Sequence, residues 1–290
     1  MSNPQAAPDP GVPYAFETML HDSAGGEIAR LESQNLLLEK HRPLDHLPPT
    51  PDQGRVLDVG SGTGFWSLRL AARVPLGQVV CLDRSPELLG HARARLEAAG
   101  VSQAVYLQQD LRQLALPTAT FDLVFTCVTL THVAELDAAL TDLVAALKPG
   151  GWIACFEPLQ GSDRMFNLHP PCPKLDRLMD RMAEVARARG SDFSVALKIA
   201  HHLEQMGLEA VAVRSFGEAT HGAEARSGIQ EVFLPIVRTY LLSQLAPAAL
   251  DALLAEAQAE AAAHPSLWVD LKRTIVLGRK PAAPQGPRSS

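Results

Sequence analysis

Between residues 54 and 158 short apolar runs alternate with segments whose apolar positions recur every three to four residues. RVLDV (55–59), QVVCLD (78–83), AVYLQQD (104–110), FDLVFTCV (121–128) and WIACFEP (152–158) are short and apolar along most of their length, which predicts strands. The segments between them at 65–74, 85–100 and 136–147 carry helical spacing. Ser85 as N-cap, Pro86 at the first helical position and Gly100 at the stop bound the second of these helices. The third ends at Lys148-Pro149-Gly150-Gly151. Strands that are apolar throughout and alternate with helices imply a parallel sheet covered on both faces.

Outside that region the pattern is more helical. Ile28, Leu31, Asn35 and Leu38 predict a helix over 24–41, before Pro43, Pro48, Pro49 and Pro51 break the chain. Beyond 158, HPPCP (169–173) is a turn-rich break, and helices are expected at 174–189, 193–206, 229–245 and 248–263, with a kink at Pro235. LEAVAVRSF (208–216) and LWVDLKRTIVLGRK (267–280) read as the last two strands. The helical material at 14–41, 174–190 and 229–263 exceeds what a minimal sheet needs. It is expected to cap the carboxyl ends of the strands and to enclose a largely apolar pocket. The expected organisation is a disordered tail at 1–13, one domain over 14–280 and a second tail at 281–290. The domain divides into a helical lid at 14–50, a core at 54–158, and a cap with the C-terminal half of the sheet at 159–280. Tyr14 and Phe16 are candidates for a lid contact or a plain hydrophobic anchor.

Composition narrows the class. The chain has 290 residues, 47% of them hydrophobic, which is ample for a core. Lys and Arg total 26 against 32 Asp and Glu, so the net charge of −6 argues against a nucleic-acid partner. No apolar run approaches the ~18–20 residues of a membrane span, and no secretory leader pattern opens the chain. Cys81, Cys127, Cys155 and Cys172 form no C-x-x-C pair, so no metal site is expected. A cytoplasmic protein is expected.

The sharpest local feature is Asp58-Val59-Gly60-Ser61-Gly62-Thr63-Gly64, where a strand runs through three alternate glycines into a helix. Glycines there let the backbone turn tightly and let a ligand approach main chain. The spacing is G-x-G-x-G, not the G-x-G-x-x-G of dinucleotide folds. Asp83 ends the second strand, where a carboxylate can accept from both ribose hydroxyls and would repel a 2′-phosphate. Asp110 ends the third, where it can accept from an exocyclic adenine amine. Ligands of open parallel sheets bind outside the carboxyl ends of the strands, which is where these residues fall.

With VLDVGSGTG, VVCLDRS, YLQQDL, FDLVFTCVTLTHV and LKPGGWIACFEP in this order, the sequence resembles the class I S-adenosylmethionine-dependent methyltransferases. Within that class it is similar to the small-molecule branch near the ubiquinone and menaquinone biosynthesis methyltransferases. The resemblance implies an α/β, Rossmann-like three-layer sandwich with a seven-stranded, mostly parallel sheet whose last strand is antiparallel. It implies S-adenosylmethionine as cofactor, with Asp58, Gly60 and Gly62 around the methionine part, Asp83 at the ribose, and Ser61 and Arg84 also among the cofactor-binding residues. Asp110 and Leu111 would lie at the adenine, and the main chain of Thr126 would face the methionine amino group.

Thr126-Cys127-Val128-Thr129 lacks the motif of nucleic-acid amino-methyltransferases, and paired glutamates of protein arginine methyltransferases do not follow the fourth strand. A small-molecule acceptor is therefore expected. His132 and Glu157 are the candidate catalytic groups. A packing role for His132 and a capping role for Glu157 are the competing readings. Functionally, methyl transfer to a small organic acceptor stands beside a cofactor-binding protein that does not methylate, such as an isomerase or cyclase. An NAD-dependent oxidoreductase is disfavoured by the loop spacing and Asp110. The oligomeric state is not readable.

Overall fold

A computed structural model describes residues 24–158, 167–217, 219–270 and 273–282. The tail expected at 1–13, with Tyr14 and Phe16, lies outside the described residues, as does all but Pro281 and Ala282 of the second tail. In chain order the elements are α1 (Ala24–Glu39), β1 (Arg55–Val59), α2 (Phe65–Ala71), β2 (Gln78–Asp83), α3 (Pro86–Ala98), β3 (Ala104–Gln108), β4 (Phe121–Cys127), α4 (Leu136–Ala146) and β5 (Leu147–Pro158). Then follow β6 (Asn167–His169), α5 (Pro173–Ala188), α6 (Val195–Gln205), β7 (Glu209–Phe216), β8 (Thr220–His221), α7 (Gly222–Gly228), α8 (Leu234–Leu241), α9 (Pro247–Ala262), β9 (Trp268–Asp270) and β10 (Arg273–Arg279).

The chain divides into two compact units, each discontinuous in sequence. The first comprises 41–159, 193–216 and 273–290. It holds a seven-stranded sheet in the order β3-β2-β1-β4-β5-β10-β7. β1 to β5 pair in parallel, and β10 runs antiparallel to both of its neighbours. The mixed sheet with its antiparallel last strand is the architecture the resemblance implies. Chain order reverses between β1 and β4, which makes the carboxyl ends of these strands the switch point where ligands of such sheets bind. Leu57, Val59, Val80, Leu82, Val124 and Ile153 bury one sheet face against Leu140 and Leu143 of α4 and Ile199 and Leu203 of α6. Burying each such side chain fully contributes about 1.5–3 kcal/mol. This core clamps the strands, so the loops at their ends start from fixed points.

Local chemistry sets the element ends. Ser85 Oγ accepts from Leu88 N–H at 3.3 Å and opens α3 as the sequence predicts. β3 stops two residues before Asp110, because Asp110 Oδ1 accepts from Arg112 N–H at 2.9 Å and caps a short 3-10 turn over Leu111–Gln113. Lys280 Nζ, just past β10, donates to the carbonyls of Val144, Ala145 and Leu147 at 2.9, 3.2 and 2.8 Å, closing the end of α4.

The second unit comprises 1–40, 160–192 and 217–272. Its described part holds α1, α5, α7, α8, α9 and a small antiparallel sheet in the order β6-β9-β8. Glu27 and Arg30 of α1 form a buried ion pair, with side chains 5% and 4% exposed. Two expectations are corrected here. The helix expected at 229–245 is divided: one wide π turn at Ile229–Phe233 joins α7 to α8, and Pro235 falls in the first turn of α8, which ends at Leu241. A proline lacks the N–H a regular helix would use, so it sits where that donor is not needed. The apolar alternation over 267–280 is not one strand: β9 belongs to the small sheet and β10 to the large one.

Candidate functional site

The glycine loop leaves β1 at Val59, which is in register with Leu82 of β2 and Thr126 of β4. Ser61 N–H donates to Leu82 O at 2.9 Å and Gly64 N–H to Ser61 O at 2.9 Å, which folds the loop back on itself. Gly60 has φ 67, and a Cβ there would stand 2.6 Å from Thr129 Cγ2. Only glycine tolerates both the left-handed conformation and that approach. Gly62, at φ 54, has the opposite surroundings: the nearest atom to a Cβ would be Gly60 O at 4.0 Å. Main chain at Gly62 is therefore open to a ligand. Ser61 Oγ is buried without a hydrogen-bond partner, an arrangement that is costly unless a ligand or water completes it.

Three carboxylates stand at the ends of three adjacent strands. Asp58, 2% exposed, accepts from Ser67 Oγ of α2. Burial pushes its pKa up from 3.8 to about 7, against the Ser67 hydroxyl and with some help from Asp83. Asp83 Oδ2 accepts from Gly62 N–H and its Oδ1 from Ser85 N–H, each at 2.9 Å, so one carboxylate ties the glycine loop to the start of α3. Arg84, half-buried, offers its carbonyl to Gln108 Nε2 at 3.3 Å. Asp110 is gripped by Arg112, whose Nη2 lies 2.8 Å from Oδ2, and this partner holds its carboxyl below the usual range. Leu111 packs onto the sheet core. Three residues the sequence reading missed act here: Ser67, Arg112 and Thr129. Each stands in or beside a quoted motif, but its partner is fixed only by folding.

At the end of β4, Thr126 is fully buried and gives its Oγ1–H to Glu157 Oε1 at 2.9 Å. Burial, with Glu157 and Asp58 nearby, pushes the Cys127 thiol well above its ordinary range. Val128 has φ 51, and the chain then enters a 3-10 turn at Leu130–His132. His132 is half-buried at the end of this turn, its N–H donating to Thr129 O at 3.0 Å. Glu157, expected to face the crevice from the end of β5, is fully buried and surrounded by donors from 126–131. Its pKa is pushed up to about 7 by burial and held down by the amides of Leu130 and Thr129, the Thr126 hydroxyl and the Thr131 amide. Among the described residues no group of His, Cys, Asp and Glu could hold a metal ion. No described helix is long and apolar enough to cross a membrane.

The groups that line this site are carboxylates, one hydroxyl and main chain, a set suited to a ligand bearing positive charge and hydroxyls. A family described as "Methyltransferase domain" matches residues 56–151. Over 163 residues the chain is 29% identical to a malonyl-[acyl-carrier protein] O-methyltransferase of Xylella fastidiosa, covering 56% of this chain and 52% of that protein. Over 103 residues it is 35% identical to a demethylmenaquinone methyltransferase of Thermus thermophilus, covering 36% and 46%. The chain thus spans about half the length of these relatives. Among solved structures, the YcgJ protein of Bacillus subtilis shares the fold with a TM-score of 0.58 at 16% identity, over 84% of this chain and all of that one. A Haemonchus contortus phosphoethanolamine N-methyltransferase, solved with S-adenosylhomocysteine, shares it with a TM-score of 0.58 at 18% identity, over 92% and 60%. From the glycine loop to β5, this chain carries an S-adenosylmethionine-binding methyltransferase domain of class I, distantly related to the demethylmenaquinone methyltransferases.

Proposed function

We propose that this protein transfers a methyl group from S-adenosylmethionine to a small organic acceptor, in cofactor or secondary-metabolite biosynthesis. The observation that carries the reading is the run of Asp58, Asp83 and Asp110 along three adjacent strand ends beside an open glycine loop. The residues fit the cofactor: Ser61 Oγ awaits a partner, Gly62 leaves room, and the pair Asp58 and Asp83 favours a cation. In this reading Asp83, with Arg84 beside it, holds the ribose, and Asp110 and Leu111 the adenine. Asp58, Gly60, Ser61, Gly62 and the main chain of Thr126 hold the methionine part. The cofactor, when bound, supplies a methyl group on a positive sulfur that is open to in-line attack. The protein's contribution is to orient the acceptor and exclude water. His132 takes the acceptor's proton where the nucleophile arrives protonated.

The names of the relatives include an O-methyltransferase and a methyltransferase of demethylmenaquinone. Together with the net charge of −6, they support a small-molecule acceptor over nucleic acid. The four free cysteines accord with a reducing cytoplasm. The test is mass spectrometry of the purified protein, its bound ligand and acceptors drawn from quinone and carboxylic-acid precursors. One methyl added to an acceptor, with formation of S-adenosylhomocysteine, is the expected result. Tight S-adenosylmethionine binding without any methylated product would favour the non-methylating reading. Binding of NAD in its place would overturn both. His132→Ala should lower turnover about a hundred- to ten-thousand-fold with cofactor affinity little changed.

A further inference from the structure

Four donors converge on one buried carboxylate. Glu157 Oε1 accepts from Thr126 Oγ1 at 2.9 Å, from Thr129 N–H at 3.0 Å and from Leu130 N–H at 3.0 Å. Oε2 accepts from Thr131 N–H at 3.2 Å. Three consecutive amides around one anion form a nest. They belong to the turn that ends in His132, and a short 3-10 turn has no internal acceptors for its first amides.

The turn also contains a conformation that needs external support. Val128 is β-branched yet sits at φ 51, in the left-handed region. Such residues persist only where surrounding contacts over-determine them. Here Val128 N–H donates to Phe156 O at 2.8 Å, and Thr129 Oγ1 donates within reach of Val59 O at 3.1 Å and Cys127 O at 3.2 Å. Glu157 supplies the remaining acceptors. The neighbouring titratable and charged groups are Cys127 of β4, Cys155 of β5, Arg273 of β10 and His132 on the turn itself.

We propose that Glu157 is a positioning residue: by gathering the amides of 129–131 around its carboxylate, it sets the backbone of the turn after β4 and the stance of His132, without itself touching a substrate. The catalytic consequence rests on the methyltransferase reading above; the structural claim does not. All four partners donate, so the full set forms only while the carboxylate is ionised. Protonation turns one oxygen into a donor facing an amide, and the turn loosens.

The test combines a spectroscopic and a kinetic readout on the full chain. In 15N-labelled protein the amide shifts of Thr129, Leu130 and Thr131 should titrate together near pH 7 in wild type. They should stop doing so in Glu157→Gln, and the His132 ring signals should move while those of His264 stay. Amides that do not titrate with Glu157, or His132 signals unchanged in Glu157→Gln, would overturn the proposal whatever the protein's activity. Should Glu157→Gln fail to fold, Thr126→Val removes one donor and should shift the same titration. A titration unmoved in Thr126→Val would then overturn it. Kinetically, Glu157→Gln should lower kcat about ten- to a hundred-fold, the scale of a small misplacement, with cofactor Kd within about threefold and the acidic limb of the pH profile shifted. In a His132→Ala background the same change should have little further effect. Multiplicative losses in the double variant would show that Glu157 acts independently of His132 and overturn the positioning role.

Discussion

Gly60 and Thr129 touch so closely that the glycine has no room for a side chain: a Cβ on Gly60 would lie 2.6 Å from Thr129 Cγ2. The two residues come from the loops after β1 and β4, on either side of the switch point. Thr129 is held from below by Val59 O at 3.1 Å, so it cannot swing away without losing that bond. The glycine loop and the turn carrying His132 are thereby locked to one another.

Gly60→Ala should therefore be strongly destabilising. A left-handed conformation costs an L residue about 1–2 kcal/mol, and overpacking adds about 1–3 kcal/mol. Thermal melts of Gly60→Ala, Thr129→Ala and the double variant should show positive coupling, the second change costing less after the first because the two closest contacts, to Thr129 Oγ1 and Cγ2, are gone. Simple additivity would mean that the two loops do not press on each other.

Asp83→Ala should weaken S-adenosylmethionine binding about ten- to a hundred-fold. A charge-assisted hydrogen bond is worth roughly 1.5–3 kcal/mol, and the variant also releases the amides of Gly62 and Ser85. Calorimetry giving wild-type affinity in a folded Asp83→Ala protein would falsify the ribose assignment.

Cofactor affinity should rise with pH through about 7. Asp58 has its pKa lifted from 3.8 to about 7, mainly by burial. The folded chain keeps a proton there that the unfolded chain loses, so this group makes stability fall as pH climbs from about 4 to about 7. A cationic ligand favours the ionised form, so binding at pH 6 should release a proton. Titration calorimetry in buffers of different ionisation enthalpy measures that release. Asp58→Asn should abolish it and flatten the stability decline over the same range. Proton release that persists in Asp58→Asn would assign it to another group.

Lys280→Met should lower thermal stability without touching cofactor affinity. Its ammonium serves three carbonyls at the end of α4, at 2.8 to 3.2 Å, and leaving such groups without a donor costs about 1–3 kcal/mol. Each kcal/mol corresponds to roughly 2–4 °C in Tm for a domain of ~150–250 residues. A melting point equal to wild type would show that water replaces the ammonium at no cost.

The strand ends that carry the candidate site are legible in the sequence because their signals are local. A buried strand is written in a run of apolar residues, and the polar residue that ends it marks a sheet edge; Asp58 and Asp83 were placed that way, and Asp110 to within two residues. Ser85 as a helix cap is likewise a matter of a few neighbouring positions. What the sequence could not reveal depends on partners far along the chain. The donors that surround Glu157 lie 26 to 31 positions earlier, so its carboxylate read equally well as a catalytic group. Arg112, only two residues from Asp110, was missed because which way a surface guanidinium turns is decided by a turn, not by spacing. The uniform alternation over 267–280 hid the division between β9 and β10, since both sheets ask for the same period of two. Hydrophobic period determines where elements begin and which face they bury; which loops meet, and which carboxylate receives whose hydrogen bonds, is set when the strands order side by side. That order follows from the packing of whole faces, a property no short stretch of sequence contains.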